Sequence, residues 1–376
     1  MAAARSLVNP TSNPALERAL RDKLVRRQEA GGALGELEPL AIRIGLMQNT
    51  LKPRLREPQL MIFAADHGVA VDGIDTTVGL RVRSTSETVR KLITNQLPLT
   101  IFARAQQMQV TVVDCGMADD PPVHDRLLLR KIAHGTRNTR VAMAMTLEQA
   151  HAAMRAGMEI GDKLRGNAAV LAGVGVGAHE SAALVLARLT DSPIRDLVIS
   201  GPDMDTGRLT HLMAVMLNAQ ARHRDITEPV EVLAAFGGFE VAVMVGVMLM
   251  AASKRHLLMI DGVPACAALM AASRIAPAVT DYCVFCRSHR HRGLDQALNL
   301  FSASALLELG MEATDGTGAT LAWPLVRSAA ALLTEVAENE DSSPLPLDEP
   351  DSEPEPFAPE PEPEFQPSSI FGPKLY

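Results

Sequence analysis

The chain has 376 residues, is 47% hydrophobic and 21% charged, and takes only 3% of its residues from the aromatics. Those proportions exclude a disordered or fibrous chain and leave room for one large, aliphatic, helix-rich core or two domains. The formal charge of −8 is uneven: residues 338 to 376 hold eleven acids against one lysine, so the remainder is close to +2, and no electrostatic case for nucleic-acid binding exists.

Four cysteines, Cys115, Cys266, Cys283 and Cys286, are too few for a disulfide scaffold and point to a reducing cytoplasm. The stretch "MAAARSLVNPTSNPALERAL" lacks the apolar core of a signal peptide. No run reaches the roughly 20 apolar residues of a membrane span. The longest candidate, "VEVLAAFGGFEVAVMVGVMLMAA", is broken by Glu231, Glu240 and a Gly-Gly pair, and is expected to be a buried helix or helix pair.

Along the chain, "PALERALRDKLVRRQ" and "LGELEPLAIRIGLMQ" show apolar residues at three- and four-residue spacing and read as helices. "QLMIFAADHGVA" is a short apolar run ending in Asp-His-Gly, as expected of a buried strand leaving a sheet at its carboxyl end. "VTVVDCGM", "AAVLAGVGVG", "DLVISGPD" and "HLLMIDGV" have the same form. "TSETVRKLITNQLPLTIFARAQ" and "MTLEQAHAAMRAGMEIGDKLRG" supply helical stretches between them. Strands alternating with helices predict a parallel α/β sheet flanked by helices. Ligands in such sheets collect beyond the carboxyl ends of the strands, which directs attention to Asp66, His67, Asp114, Gly175, Gly177, Asp203 and Asp261.

Three stretches carry candidate chemistry. "AGVGVGAHESAA" is a glycine-rich turn into a helix, which is either a phosphate cradle or a tight strand-to-helix turn. In "TDGTGATLAWPLV", Thr314 or Asp315 is either the cap of the helix that follows or a carboxylate able to take a proton. "DYCVFCRSHRHRG" places Cys283 and Cys286 at zinc-like spacing with His289 and His291 beyond, but the histidines stand too near for a known finger. A strand end and loop fits better, with Arg287, Arg290 and Arg292 in solvent or on a phosphate. The segment "DEPDSEPEPFAPEPEPEFQPSS" is Pro-Glu low complexity, expected to be an extended spacer or a docking segment for a protein partner.

From about residue 15 to 340 the chain resembles the nicotinate-nucleotide:dimethylbenzimidazole phosphoribosyltransferases. The matching stretches are "GGALGELEPLAIRIGLMQ", "IFAADHGVA", "VVDCGM", "HGTRNTRVAMAMTLEQA", "VEVLAAFGGFEVAVMVGVMLMAA", "DGVPACAALMA" and "LLELGMEATDGTGATLAWPLVRSA". The resemblance implies a Rossmann-like parallel α/β core with a smaller helical domain built from N- and C-terminal segments, in a cytoplasmic homodimer. It places residues 1–52 and 301–340 in the helical part, 53–300 in the core and 341–376 in the acidic tail. It also implies transfer of 5-phosphoribose from nicotinate mononucleotide to a benzimidazole nitrogen, in cobalamin lower-ligand assembly, without metal or cofactor. Asp315 would be the catalytic base. Gly175, Gly177, His179, Ser181, Gly201, Asp203, Gly316, Thr317 and Gly318 would bind phosphate and nucleotide, and Asp66, His67, Leu80 and Thr88 would line the acceptor pocket.

The chain departs from that pattern where it matters chemically. The family's Gly-Glu-Gly-Thr-Gly is Thr314-Asp315-Gly316-Thr317-Gly318 here, an acid shorter by roughly 1.5 Å of reach. A shift of that order costs about a hundredfold in rate. The family's Gly-Glu-Met-Gly-Ile-Gly-Asn-Thr-Thr-Ser is Ala172-Gly173-Val174-Gly175-Val176-Gly177-Ala178-His179-Glu180-Ser181, so a second carboxylate becomes Gly173. Glu180 would repel a phosphate and a protonated His179 would attract one. These losses leave two expectations open: a transferase, with an altered acceptor or rate, or a catalytically silent nucleotide-binding or interaction protein.

Overall fold

The computed structural model describes residues 6–27, 34–74, 84–198, 204–290 and 292–336. They belong to the unit Met1–Glu338. The Pro-Glu tail, Leu80, Gly201, Asp203 and His291 lie outside the described residues.

Six strands form one parallel sheet: β1 (Gln59–Ala65), β2 (Gln109–Gly116), β3 (Leu127–Leu129), β4 (Ala168–Val174), β5 (Leu257–Asp261) and β6 (Cys283–Cys286). β1, β4 and β5 are buried at every residue, which explains their unbroken apolar runs: helices cover both faces of such a sheet and leave no polar alternation. The spatial order is β3-β2-β1-β4-β5-β6. The chain first builds outward from β1 to β3, then returns to β4 and builds the other way. At that reversal the connections leave β1 and β4 in opposite directions, and a crevice opens beyond their carboxyl ends. In register, Phe63 faces Gly173 and Ala64 faces Val174, so "DHG" and "GVG" leave the sheet side by side.

The longest apolar run resolves into two helices, Pro229–Phe236 and Phe239–Ser253, separated by Gly237 and Gly238. The second is apolar around its whole circumference and buried against β1, β2, β4 and β5, as an all-apolar soluble helix must be. It packs along helix Leu147–Asp162, which opens on a capping box in which Thr146 and Gln149 exchange side-chain and backbone hydrogen bonds. "TSETVRKLITNQLPLTIFARAQ" also divides, into Thr85–Ile93 and Pro98–Ala105, because Asn95 turns left-handed and Pro98 opens the second helix. Helices Pro14–Val25, Leu37–Gln48 and Thr317–Thr334 pack on one another, and Arg43 ties this group to β6 by donating to the Cys283 carbonyl. Among the described residues, no helix is long and apolar enough to cross a membrane.

"DLVISGPD" begins at the end of a short helix, Ile194–Leu197, Val198 is extended, and residues 199–203 lie outside the described ones. β3 escaped notice because three leucines are too short a run to show a period.

At Gly246 the two long helices touch backbone to backbone. A Cβ there would stand 2.0 Å from the Met154 carbonyl oxygen. Gly246→Leu is therefore expected to lower unfolding free energy by at least about 1–3 kcal/mol through overpacking. An unchanged urea midpoint for the variant would contradict this packing.

Candidate functional site

The crevice between β1 and β4 is braced from below. Gly175 presses on the end of β1, where a Cβ would lie 1.8 Å from the Ala65 carbonyl oxygen, so only glycine fits. The Thr85 hydroxyl accepts from the Val176 amide at 3.0 Å and donates to Asp66 Oδ1, while Asp66 Oδ2 accepts from the Ala118 amide at 2.7 Å. Imidazole Nδ1 of His67 meets the Val176 carbonyl at 3.0 Å, and Nε2 meets Glu240 Oε1 at 3.0 Å. Both nitrogens face acceptors, which calls for an imidazolium. Burial opposes that charge, but Glu240, the Val176 carbonyl and Asp66 raise its pKa above the ordinary value.

These contacts relocate two expected acceptor residues. The His67 side chain is 1% exposed and bonded to Glu240 and to the Val176 carbonyl of the glycine turn. Asp66 is likewise engaged in bracing the turn. Thr88 lies on helix Thr85–Ile93 and donates to the Ser84 carbonyl at 3.3 Å. The Ser181 hydroxyl, expected on phosphate, donates to the Phe236 carbonyl at 2.6 Å because the residue is buried where its helix meets the end of helix Pro229–Phe236. Glu180 is buried as well. The place of the family's second carboxylate, Gly173, is closed by Pro264, whose Cβ would lie 2.6 Å from an added one. Gly177 starts helix Ala178–Thr190 with no side chain capping it.

Asp315 enters from the other side of the crevice. Gly316 lies against Ala172 of β4, and Gly262 after β5 approaches the Asp315 carboxylate. The carboxylate is 2% exposed and gripped by two imidazoles: His179 Nε2 at 2.9 Å from Oδ2 and His289 Nε2 at 3.0 Å from Oδ1. Burial would favour the neutral acid, but His179 and His289 hold its pKa well below the usual carboxylate range. His289 also meets Glu312 Oε2 through Nδ1 at 3.3 Å. Against burial, Asp315, Asp261 and Glu312 push the His289 pKa up to about 9.

The helix after Asp315 is not capped by it. Gly316 is the cap residue, and the Asp315 carboxylate is occupied with histidines. The first-turn amides expected to cradle phosphate are taken by side chains of this chain. Gly318 donates to Ser288 Oγ at 2.9 Å and Ala319 to Asp261 Oδ2 at 2.9 Å, while the Thr317 hydroxyl and amide both return to the Thr314 carbonyl. Asp261 also accepts from Ser288 Oγ at 2.7 Å, and its pKa is pushed up to about 6 by burial and then by Asp315.

Cys283 and Cys286 are not a chelating pair. On β6, side chains three apart project from opposite faces, and burial raises both thiol pKa values. Arg287 is ion-paired with Asp295 at 2.6 Å and Glu308 at 2.7 Å instead of awaiting a phosphate. Spacing drew His289 toward the cysteines, while the fold brings it to Asp315. Thr85, Glu240 and Ser288 had no local signal, because each acts on a residue far away in sequence.

The buried His67–Glu240 pair makes a pH prediction. Its folded-state pKa lies above 6.5, so its stabilisation is complete below that pH and is lost as pH rises through the folded value. His67→Gln is expected to cost roughly 3 kcal/mol at pH 6, since it removes one partner of a buried pair. The gap from wild type in urea should narrow by pH 9; a gap independent of pH would refute the charged pair.

Comparison with known proteins agrees with this architecture. A family model described as DBI_PRT, phosphoribosyltransferase, matches residues 9–343. The nicotinate-nucleotide–dimethylbenzimidazole phosphoribosyltransferase of Cupriavidus taiwanensis is 39% identical over 327 residues, covering 86% of this chain and 92% of its own. That of Dechloromonas aromatica is 38% identical over 333 residues, covering 87% and 95%. The crystal structure of the Thermus thermophilus enzyme of that name superimposes with a TM-score of 0.77 at 30% identity, covering 86% of this chain and 96% of the other. The parallel sheet thus belongs to a recognised lineage: the chain is a member of the DBI_PRT phosphoribosyltransferase family.

Proposed function

We propose that the protein transfers 5-phosphoribose from nicotinate mononucleotide to 5,6-dimethylbenzimidazole or a related aromatic azole, with the proton leaving through the His179–Asp315 pair. One observation carries this reading. Asp315 and His179, two departures from the family pattern, meet at 2.9 Å at the sheet's reversal point. The shorter acid is compensated by an imidazole from the opposite wall. A carboxylate held so far down accepts a proton weakly, whereas an imidazole nitrogen is the commonest side-chain proton acceptor in general acid–base chemistry.

In the reaction, the bond from the ribose anomeric carbon to the nicotinate nitrogen breaks, and its electron pair stays with nicotinate. An azole nitrogen forms the new bond to the same carbon. The azole N–H proton passes to His179, and Asp315 orients and balances the resulting imidazolium. The phosphate would sit by the helix start after Gly177, where the helix dipole favours an anion. Gly175 and the His67–Thr85 brace fix that turn, so the ribose is held beside the acceptor.

The reading also carries a cytoplasmic homodimer, as the family resemblance implies. Four free, buried cysteines suit a reducing compartment. The acidic tail would serve as a docking segment.

The purified chain should release nicotinate from nicotinate mononucleotide when offered a panel of benzimidazoles. His179→Gln and Asp315→Asn should each slow release by about 10²–10⁴-fold, the usual contribution of a positioned base, while calorimetric binding of the nucleotide persists. Wild-type rates in His179→Gln would remove it as proton acceptor. Absence of release with every acceptor would remove the transferase reading and favour a silent nucleotide-binding protein.

A further inference from the structure

We propose that His179, His289 and Asp315 form a binding site for one divalent transition-metal ion. One ligand atom from each can be chosen so that all lie within 4.8 Å of one another. The two imidazoles approach the same carboxylate through Nε2, with ring centroids 5.8 Å apart and planes at 83°. A cation placed among these atoms would replace the protons now shared between the rings and the carboxylate.

Donor chemistry selects the ion. Two imidazole nitrogens and one carboxylate suit Zn²⁺, Co²⁺, Ni²⁺ or Fe²⁺, whereas Mg²⁺ and Ca²⁺ prefer oxygen ligands throughout. The outer partner that metal-bound histidines usually have is already in place. Glu312 Oε2 faces His289 Nδ1 at 3.3 Å, while Glu312 Oε1 accepts from the Arg290 amide at 3.2 Å, which fixes the ring's orientation. Buried Asp261 stands close to the cluster, since the next residue, Gly262, abuts the Asp315 carboxylate. The side chains of His179 and His289 are each 11% exposed, so the site has a solvent side by which an ion and its water can enter. Three protein ligands leave a position open, as in catalytic zinc sites.

The family resemblance implies no metal. Two of the three donors stand at departures from the family pattern: Asp315 in place of glutamate and His179 in place of threonine. The same two changes that rebuild the proton acceptor also complete a chelating set. A metal on Nε2 takes the place of that atom's proton and leaves the ring's remaining proton on Nδ1, so the ring has no lone pair for the azole proton and the metal-loaded chain is an off state of the transferase. This last clause rests on the phosphoribosyl-transfer reading; metal binding does not.

The full chain, stripped with a chelator and dialysed, would be titrated with Co²⁺ and Zn²⁺, counting retained metal by mass spectrometry and following cobalt d–d absorption. One ion per chain is expected. Affinity should fall at least tenfold in His179→Gln and in Asp315→Asn, fall about 10–100-fold in Glu312→Gln through loss of the outer partner, and stay unchanged in Cys283→Ser. No retained ion in the wild-type chain, or equal retention in His179→Gln, would overturn the site. Nicotinate release should drop at least tenfold with one equivalent of Zn²⁺ and recover with chelator. Release unchanged or raised by Zn²⁺, with one ion counted, would overturn the off state alone. Lack of release in both forms would count against the transferase reading and leave the metal count standing.

Discussion

A carboxylate buried to 2% exposure is the constraint around which this crevice is organised. Removing Asp315 from water carries a desolvation cost of several kcal/mol unless its charge is met by close partners. Two imidazoles meet it, one from the helix after β4 and one from the loop after β6. The second is in turn held by Glu312, and the neighbouring Asp261 is quieted by Ser288 and an amide of the following helix. Carboxylates and imidazoles therefore alternate through the cluster. Any change that removes one member takes a partner from a buried neighbour, which couples the members of the cluster.

The rest of the fold supplies the rigidity this needs. Residues from four strand ends converge because the sheet reverses direction between β1 and β4, and the central helix Phe239–Ser253 delivers Glu240 from beneath. His67 and Thr85 then clamp the two polar groups of Val176, one on its carbonyl and one on its amide. The turn carrying His179 is thus held through its backbone, independently of what its side chain binds. That division lets the turn keep its shape while the residues after Gly177 diverge.

Much of this was legible in sequence for a simple physical reason. A strand buried on both faces must be apolar throughout, so β1, β4 and β5 stood out. The glycines before His179 were visible because close backbone approach tolerates nothing larger. What could not be read was pairing across distance. Nothing near His67 announces Glu240, and nothing near His289 announces Asp315. Local spacing instead grouped His289 with two cysteines that a strand points to opposite faces. The helix-start amides at Gly318 and Ala319 looked available for phosphate, since their partners Ser288 and Asp261 lie 30 and 58 residues away.

The exchange of glutamate for aspartate at 315 changes what kind of base the crevice offers. A longer carboxylate in the family pattern can reach an acceptor directly. Here the shorter one sits back between two rings, and its strong ion pairs make it an anchor more than an acceptor. In the proposed reaction the imidazole of His179 takes the proton with Asp315 paired to it, so the proton-accepting atom would change from oxygen to nitrogen. The loss of the second carboxylate fits the same economy, because Pro264 closes the space at Gly173 and no charge is left there to be balanced. An imidazole nitrogen is also a far better ligand for a borderline metal than a carboxylate oxygen. On the proposed reading, the residue that would restore proton transfer would also open it to competition from metal, and the free metal concentration would become a variable to which a carboxylate base is much less sensitive.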